Sequence, residues 1–140
     1  MGEVVYAPQF GGRPSRAERV GTVARVLIVD SDPATLAAAS QALQSEGHAT
    51  ATAFDALAAI SVAERLGPFD LLVTDVGAID GIALANTLRQ RDSNLQVLYV
   101  MNRDNPLVDE HQAIERPFSE SELVDAVSSL LYWQSPRSTR

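Results

Sequence analysis

Residues 26–33 read VLIVDSDP, a run of four apolar residues that ends in the acidic cluster Asp30-Ser31-Asp32. Residues 70–75 read DLLVTD, a second apolar run that ends at Asp75. Short, continuous apolar runs with polar ends are typical of strands buried in a parallel sheet. All strands of such a sheet have their carboxyl ends along one edge, where ligands bind. We therefore expect Asp30 and Asp75 to meet in one acidic pocket.

A pocket of this kind suits a hard cation with oxygen ligands, such as magnesium. It also suits an aspartate that accepts a phosphoryl group, with a metal that neutralises the incoming charge. The alternative is that acids which follow strands only cap the next helix. Helix capping explains Asp32, which precedes Pro33 at a predicted helix start, but it does not explain Asp75.

Strands and helices alternate on both sides of these two runs. The predicted strands are residues 25–29, 48–54, 70–74, 96–101 and 112–115. The predicted helices begin after Asp32, Asp55, Asp80 and Ser119, and the first three end near Glu46, Gly67 and Arg91. Five strands that alternate with helices predict an α/β fold, a flavodoxin-like three-layer sandwich with a five-stranded parallel sheet. Its crossovers are expected to be right-handed.

The two ends of the chain lack this alternation. Residues 1–24 contain scattered glycine and proline without a persistent pattern, and we interpret them as a flexible N-terminal extension. Residues 25–133 form the predicted folded domain, which is large enough for a self-sufficient core. Residues 134–140 include Pro136 and are predicted to be a C-terminal tail.

The composition excludes several classes of protein. Residues 25–133 contain 6 arginines and 16 acidic residues, hence a formal charge of −10, which would repel a nucleic-acid backbone. All 11 basic residues are arginine and there is no cysteine, so chemistry that needs a lysine, a thiolate or a disulfide is excluded. No apolar run approaches the roughly 20 residues of a membrane helix and no secretory signal opens the chain. We therefore expect a cytoplasmic protein without membrane partners.

The order and spacing of five short motifs resemble the receiver domain of two-component response regulators, over residues 25–132. The motifs are VLIVDSDP (26–33), DLLVTD (70–75), Asp80-Gly81, VLYVM (97–101) and ERPF (115–118). In that family a histidine kinase or phosphotransfer protein passes a phosphoryl group to the aspartate after strand three. The resemblance implies that Asp75 is the phosphoacceptor. It also implies a magnesium site of Asp30, Asp75 and the backbone carbonyl of Gly77, with Asp32 as an additional candidate ligand.

Three residues depart from the family pattern. Ser31 stands where the family has a second acid, and a neutral hydroxyl is a poorer magnesium ligand, so we expect weak magnesium binding. Met101 replaces the family threonine or serine and cannot donate the hydrogen bond that couples the phosphoryl group to the output face; Asn102 is the obvious substitute donor. Arg116 replaces the family lysine with a bulkier, planar cation.

Two loops also differ from the family pattern. The segment Val76–Ile79 lacks the family's Met-Pro pair. Between Met101 and Arg116 there is room for little more than one helical turn besides the last strand, and Asn105-Pro106 disfavours even that. The helix that ordinarily lies between strands four and five is therefore predicted to be reduced or absent.

These features leave two main hypotheses. In the first, the chain is a receiver that accepts a phosphoryl group on Asp75 and then signals by contact with a downstream protein. In the second, it is a pseudo-receiver that binds proteins independently of phosphorylation, as Ser31, Met101 and the missing lysine suggest. We prefer the first hypothesis. A nucleotide- or flavin-binding enzyme is disfavoured because no G-x-G-x-x-G motif or P-loop follows the first strand, and we do not expect the chain to be an enzyme.

Overall fold

The apolar runs of the sequence form the strands of one sheet. A computed structural model describes residues 23–102 and 112–138. Its strands are β1 (Arg25–Val29), β2 (Ala49–Ala53), β3 (Leu71–Asp75), β4 (Gln96–Met101) and β5 (Ala113–Glu115). Its helices are α1 (Pro33–Ser45), α2 (Ala56–Leu66), α3 (Gly81–Arg91) and α4 (Glu120–Ser138). The predicted α/β fold with a five-stranded parallel sheet is confirmed.

The strand order β2-β1-β3-β4-β5 places β1 directly beside β3. All four pairings are parallel, and Val29 pairs with Thr74 in the last register position of β1 and β3. Asp30 and Asp75 each follow these paired residues by one position, so the two acids lie at the same edge of the sheet on neighbouring strands. This adjacency is what the acidic pocket requires.

Alternate residues of each strand pack against helices on opposite faces of the sheet. Ile28 and Val73 belong to the core beneath α1 and α4, whereas Leu27 and Leu72 belong to the core beneath α2 and α3. Each of these side chains is at most 2% exposed. Full burial of such a side chain stabilises the fold by about 1.5–3 kcal/mol.

Aspartate caps open three of the helices as the sequence predicts. Asp32, Asp55 and Asp80 each accept a hydrogen bond from the backbone N–H three residues later. The start of α4 is a capping box, in which Ser119 N–H donates to Glu122 at 2.8 Å and Glu122 N–H donates to Ser119 Oγ at 3.0 Å. The carboxyl edge of the sheet is therefore surrounded by firmly anchored helix starts.

The last helix extends into the segment that the sequence predicts to be a C-terminal tail. The α4 backbone continues to Ser138, and no glycine lies between Tyr132 and that residue. Pro136 lies only two residues before the helix ends, where its missing N–H removes one late hydrogen bond instead of ending the helix at once. Smaller differences affect the strand ends, since β3 includes Asp75 and β5 begins at Ala113.

Two predictions fall on residues outside the described ranges. The N-terminal extension concerns residues 1–24, of which only Val23 and Ala24 are described, and the shortened helix region concerns residues 103–111. Within residues 23–102 and 112–138, no helix has the length and apolar character to cross a membrane.

Candidate functional site

Strand alternation turns both strand-end acids toward the same side of the sheet. Asp30 lies two residues after Ile28, and Asp75 lies two residues after Val73, so both share the face that packs on α1 and α4. Each aspartate is 4% exposed. Two carboxylates this deeply buried repel each other and lose hydration unless a cation or hydrogen-bond donors satisfy them. The sequence prediction that they meet is confirmed by a shared partner.

That partner is Arg116, which follows β5. Its backbone N–H donates to the Met101 carbonyl at 2.9 Å and so fixes the residue at the same edge of the sheet. One guanidinium nitrogen, Nη2, donates to Asp75 Oδ1 at 2.8 Å and also to Asp30 Oδ2. Strands are about 4.8 Å apart, so β5 lies two spacings from β3 and three from β1. The long arginine side chain covers that distance.

Backbone donors satisfy the other carboxylate oxygens. Asp32 N–H donates to Asp30 Oδ1 at 2.9 Å, and Ile79 N–H donates to Asp75 Oδ2 at 2.9 Å. Each of the four oxygens thus accepts a hydrogen bond, two from the backbone and two from one guanidinium nitrogen. Burial works to lower the pKa of Arg116, but its hydrogen bonds and Coulomb attraction to both aspartates outweigh burial and raise that pKa.

Asp32 serves the helix rather than the pocket. Its Oδ2 accepts from Thr35 Oγ1 at 2.7 Å and from Thr35 N–H at 3.2 Å, at the start of α1. The side-chain hydrogen bond from Thr35 is the main cause that lowers the pKa of Asp32, and burial opposes it. Both Asp32 and Ser31 are exposed. The capping role expected for Asp32 is confirmed, and this role competes with metal binding.

Backbone contacts close to Asp75 fix the loop that follows β3. Val76 N–H donates to the Val100 carbonyl at 3.0 Å, and Gly77 lies in the exposed part of the loop. A Cβ atom on Gly81 would lie 2.2 Å from the Asp75 carbonyl oxygen, so only glycine fits there without a shift. Sequence reasoning missed this support, although a glycine directly after the Asp80 cap was a signal of close backbone approach.

Met101 is the last residue of β4 and is half-buried. It follows Val100, the register partner of Asp75, by one position. A thioether cannot donate a hydrogen bond, so this position offers the pocket no hydroxyl. Asn102, the candidate substitute, is exposed.

The residues present fit a divalent cation poorly. No group of three or more His, Asp or Glu side chains in the described part of the chain is arranged to hold a metal ion. Arg116 already binds Asp30 Oδ2 and Asp75 Oδ1. The third acid, Asp32, caps α1. Sequence reasoning treated Arg116 only as a replacement for the family lysine and missed its contact with both acids. Its position two residues after the inward-facing Ile114 was the available signal.

Comparisons with known proteins agree on one family. The family model for the response regulator receiver domain matches residues 26–128. The transcriptional regulatory protein TrcR of Mycobacterium tuberculosis is 31% identical over 122 residues, which cover 79% of this chain and 46% of TrcR. The chain spans about half the length of the curated relatives it matches.

Solved structures share the fold. NtrX from Brucella abortus matches with a TM-score of 0.75 and 23% identity over 84% of this chain and 28% of NtrX. The chemotaxis response regulator CheY4 of Vibrio cholerae matches with a TM-score of 0.69 and 21% identity over 77% of this chain and 98% of CheY4. These likenesses support the flavodoxin-like fold.

Proposed function

The chain belongs to the response regulator receiver domain family of two-component systems, and on that premise we propose that Asp75 accepts a phosphoryl group from a histidine kinase or a phosphotransfer protein. The observation that carries this proposal is the pairing of Asp75 with Arg116. A buried aspartate at the carboxyl end of β3 has the Arg116 guanidinium 2.8 Å from one of its oxygens. Phosphoryl transfer depends mainly on such positioning and charge stabilisation.

The residues of the pocket divide the work of this transfer. A carboxylate oxygen of Asp75 bonds to phosphorus while the bond from phosphorus to the donor imidazole nitrogen breaks, and that nitrogen recovers a proton from solvent. Ile79 N–H orients the carboxylate, since it donates to Asp75 Oδ2. The Arg116 guanidinium stabilises the negative charge of the phosphoryl oxygens.

Magnesium, which receiver domains generally bind, would take its ligands from Asp30, Asp75 and the Gly77 carbonyl. Arg116 already uses one oxygen of each aspartate, and Ser31 contributes no charge. We therefore expect magnesium to bind weakly.

Contact with other proteins is the output that we propose for the domain. The curated relatives are named as transcriptional regulatory proteins, and this chain spans about half of their length. The formal charge of −10 over residues 25–133 argues against nucleic-acid binding by the receiver part itself. A downstream protein partner is therefore the recipient of the signal in this proposal.

A second candidate is the phosphorylation-independent pseudo-receiver. Its support is that Arg116 and two backbone N–H groups already satisfy both aspartates, while Met101 supplies no hydroxyl. In this case the pocket stabilises the fold, and a partner protein binds a surface whose conformation does not depend on phosphorylation.

Labelling with a small phosphodonor separates the two candidates. We expect phosphate that alkali and hydroxylamine release on the wild-type chain, none on Asp75→Asn, and wild-type labelling on Asp55→Asn. Asp55 is a matched control because it also follows a strand at the same edge, and asparagine caps a helix equally well. If neither a small donor with magnesium nor the cognate histidine kinase labels the wild type, the result favours the pseudo-receiver.

A further inference from the structure

We propose that Arg116 is the resident counter-ion of the acidic pocket, so that divalent cations must compete with its guanidinium for Asp30 and Asp75. This inference concerns the pocket before any phosphoryl transfer and does not depend on the proposed function. It is carried by the contact of one side-chain nitrogen with both buried carboxylates.

The two buried carboxylates of the pocket need a cation because they repel each other. Asp30 and Asp75 lie within hydrogen-bond distance of the same Nη2 atom, and their side chains are each 6% exposed. Two carboxylates so close in a site of low dielectric constant repel strongly. The guanidinium reduces the charge of the group from −2 to −1 and supplies a donor to each acid. The pocket therefore contains its own cation.

This cation and a metal require the same atoms. Arg116 binds Asp30 Oδ2 and Asp75 Oδ1 through the same nitrogen. The other two oxygens, Asp30 Oδ1 and Asp75 Oδ2, accept hydrogen bonds from backbone N–H groups. A divalent cation that bridges the two acids must displace the guanidinium, and its affinity is lowered by the free energy of that displacement.

The guanidinium has space to leave without unfolding. An open cavity of about 370 Å³ lies between α1 and the start of α4 and is lined by Arg116, Thr35 and Glu120, among others. The Arg116 side chain is already 25% exposed. The carboxylate of Glu120 offers a displaced guanidinium a second partner of opposite charge. Displacement of the guanidinium into this cavity would therefore need only a side-chain movement.

The identity of the cation matters as much as its charge. Arginine is longer than lysine and holds its donors in a rigid planar group, which suits contact with two acids from a distant strand. A lysine at position 116 keeps the charge but lacks this reach. Arg116→Lys therefore separates the bridging geometry from simple electrostatic repulsion of the metal.

The test is a titration of the full chain with magnesium chloride, followed by amide shifts of residues 30–32 and 75–77 and by the melting temperature. The variants are Arg116→Gln, Arg116→Lys and Arg91→Gln. Arg91 is a matched control because it also pairs with a carboxylate, that of Glu64, but both side chains are about half exposed and lie outside the pocket.

We expect Arg116→Gln to bind magnesium about tenfold or more tightly than the wild type, because a competing, largely buried ion pair is removed. Without magnesium, the melting temperature of Arg116→Gln should be lower than that of the wild type. Added magnesium should raise the melting temperature of Arg116→Gln more than that of the wild type. Arg116→Lys should bind magnesium more tightly than the wild type does. Arg91→Gln should bind magnesium as the wild type does.

Equal magnesium affinity in the wild type and Arg116→Lys would overturn the proposal, as would a tight wild-type site. If Arg116→Gln folds only when magnesium is present, the proposal is supported, and Arg116→Lys still provides the quantitative comparison. No phosphodonor is used, so this result is independent of whether Asp75 is phosphorylated.

Discussion

A single arginine decides the chemical state of the acidic pocket. Asp30 and Asp75 are buried at neighbouring strand ends, and Arg116 satisfies both through one nitrogen. A lysine ammonium is equally charged but shorter, so the same two acids would be left with less complete pairing. The loss of an acid at Ser31 is consistent with this arrangement, because a third carboxylate would add negative charge that one guanidinium does not neutralise.

The buried His48 is expected to make the stability of the fold depend on pH. Its Nδ1 accepts the Ala24 N–H at 3.0 Å in a buried site, so the folded state requires an unprotonated Nδ1. Burial lowers the pKa of His48 from its ordinary value of 6.5, and the charges of Glu46 and Asp70 oppose this only in part. The unfolded chain therefore binds the proton more readily, and His48 contributes stability above about pH 6.5 that is lost as the pH falls through the folded pKa.

Urea denaturation between about pH 7.5 and pH 5 measures this contribution. The wild type should lose free energy of unfolding across this range more steeply than His48→Gln, which keeps an acceptor that does not titrate. Parallel pH profiles for the two proteins would show that His48 is not responsible.

At the level of the elements, local signals predict all four helix starts and the first three helix ends to within one residue. The aspartate caps and the capping box lie where the sequence predicts them, because each cap is a contact between residues three apart. The extent of α4 is harder to predict, because one proline near a terminus does not by itself end a helix. The start of α3 has an additional constraint, since Gly81 lies against the Asp75 backbone.

Gly81→Ala tests that constraint. Alanine is the better helix former, yet its Cβ would meet the Asp75 carbonyl oxygen at 2.2 Å and two Thr74 side-chain atoms at 2.9 Å. We expect a net destabilisation of about 1–3 kcal/mol in urea denaturation, as for other overpacked sites. The amide signals of Asp75 and Val76 should also shift.

The control for this substitution is Ala83→Gly, on the exposed side of the same helical turn. It should cost up to about 1 kcal/mol of helix stability and leave the Asp75 amide unchanged. A Gly81→Ala protein as stable as the wild type would contradict the close approach.

At the scale of the whole molecule, the strand order places the acidic pocket directly beside β4. β3 and β4 are adjacent, and Asp75 pairs with Val100, one residue before Met101. In the proposed function, a phosphoryl group on Asp75 would need a hydroxyl at the end of β4 to pull that strand toward it. Met101 offers none, so the route from the pocket to β4 and α4 is weakened.

We therefore predict that a small phosphodonor shifts the amides of β4 and α4 only slightly in the wild type and substantially more in Met101→Thr. The comparison is made by amide spectra before and after labelling, with Asp75→Asn as the unlabelled control. Large shifts at Tyr99 and Val100 in the labelled wild type would refute this reading of Met101.

The sequence by itself determined the order of strands and helices, the helix caps, the family and the placement of Asp30 and Asp75 at the carboxyl edge. The family follows from the order and spacing of the motifs, and the other features follow from contacts within a few residues or from a rule common to parallel sheets. Only the tertiary structure decided that one Arg116 nitrogen contacts both acids, which lie 86 and 41 residues away along the chain. That contact depends on strand order, register and side-chain reach together, and a shift of one residue in register would turn a pocket residue to the other face of the sheet.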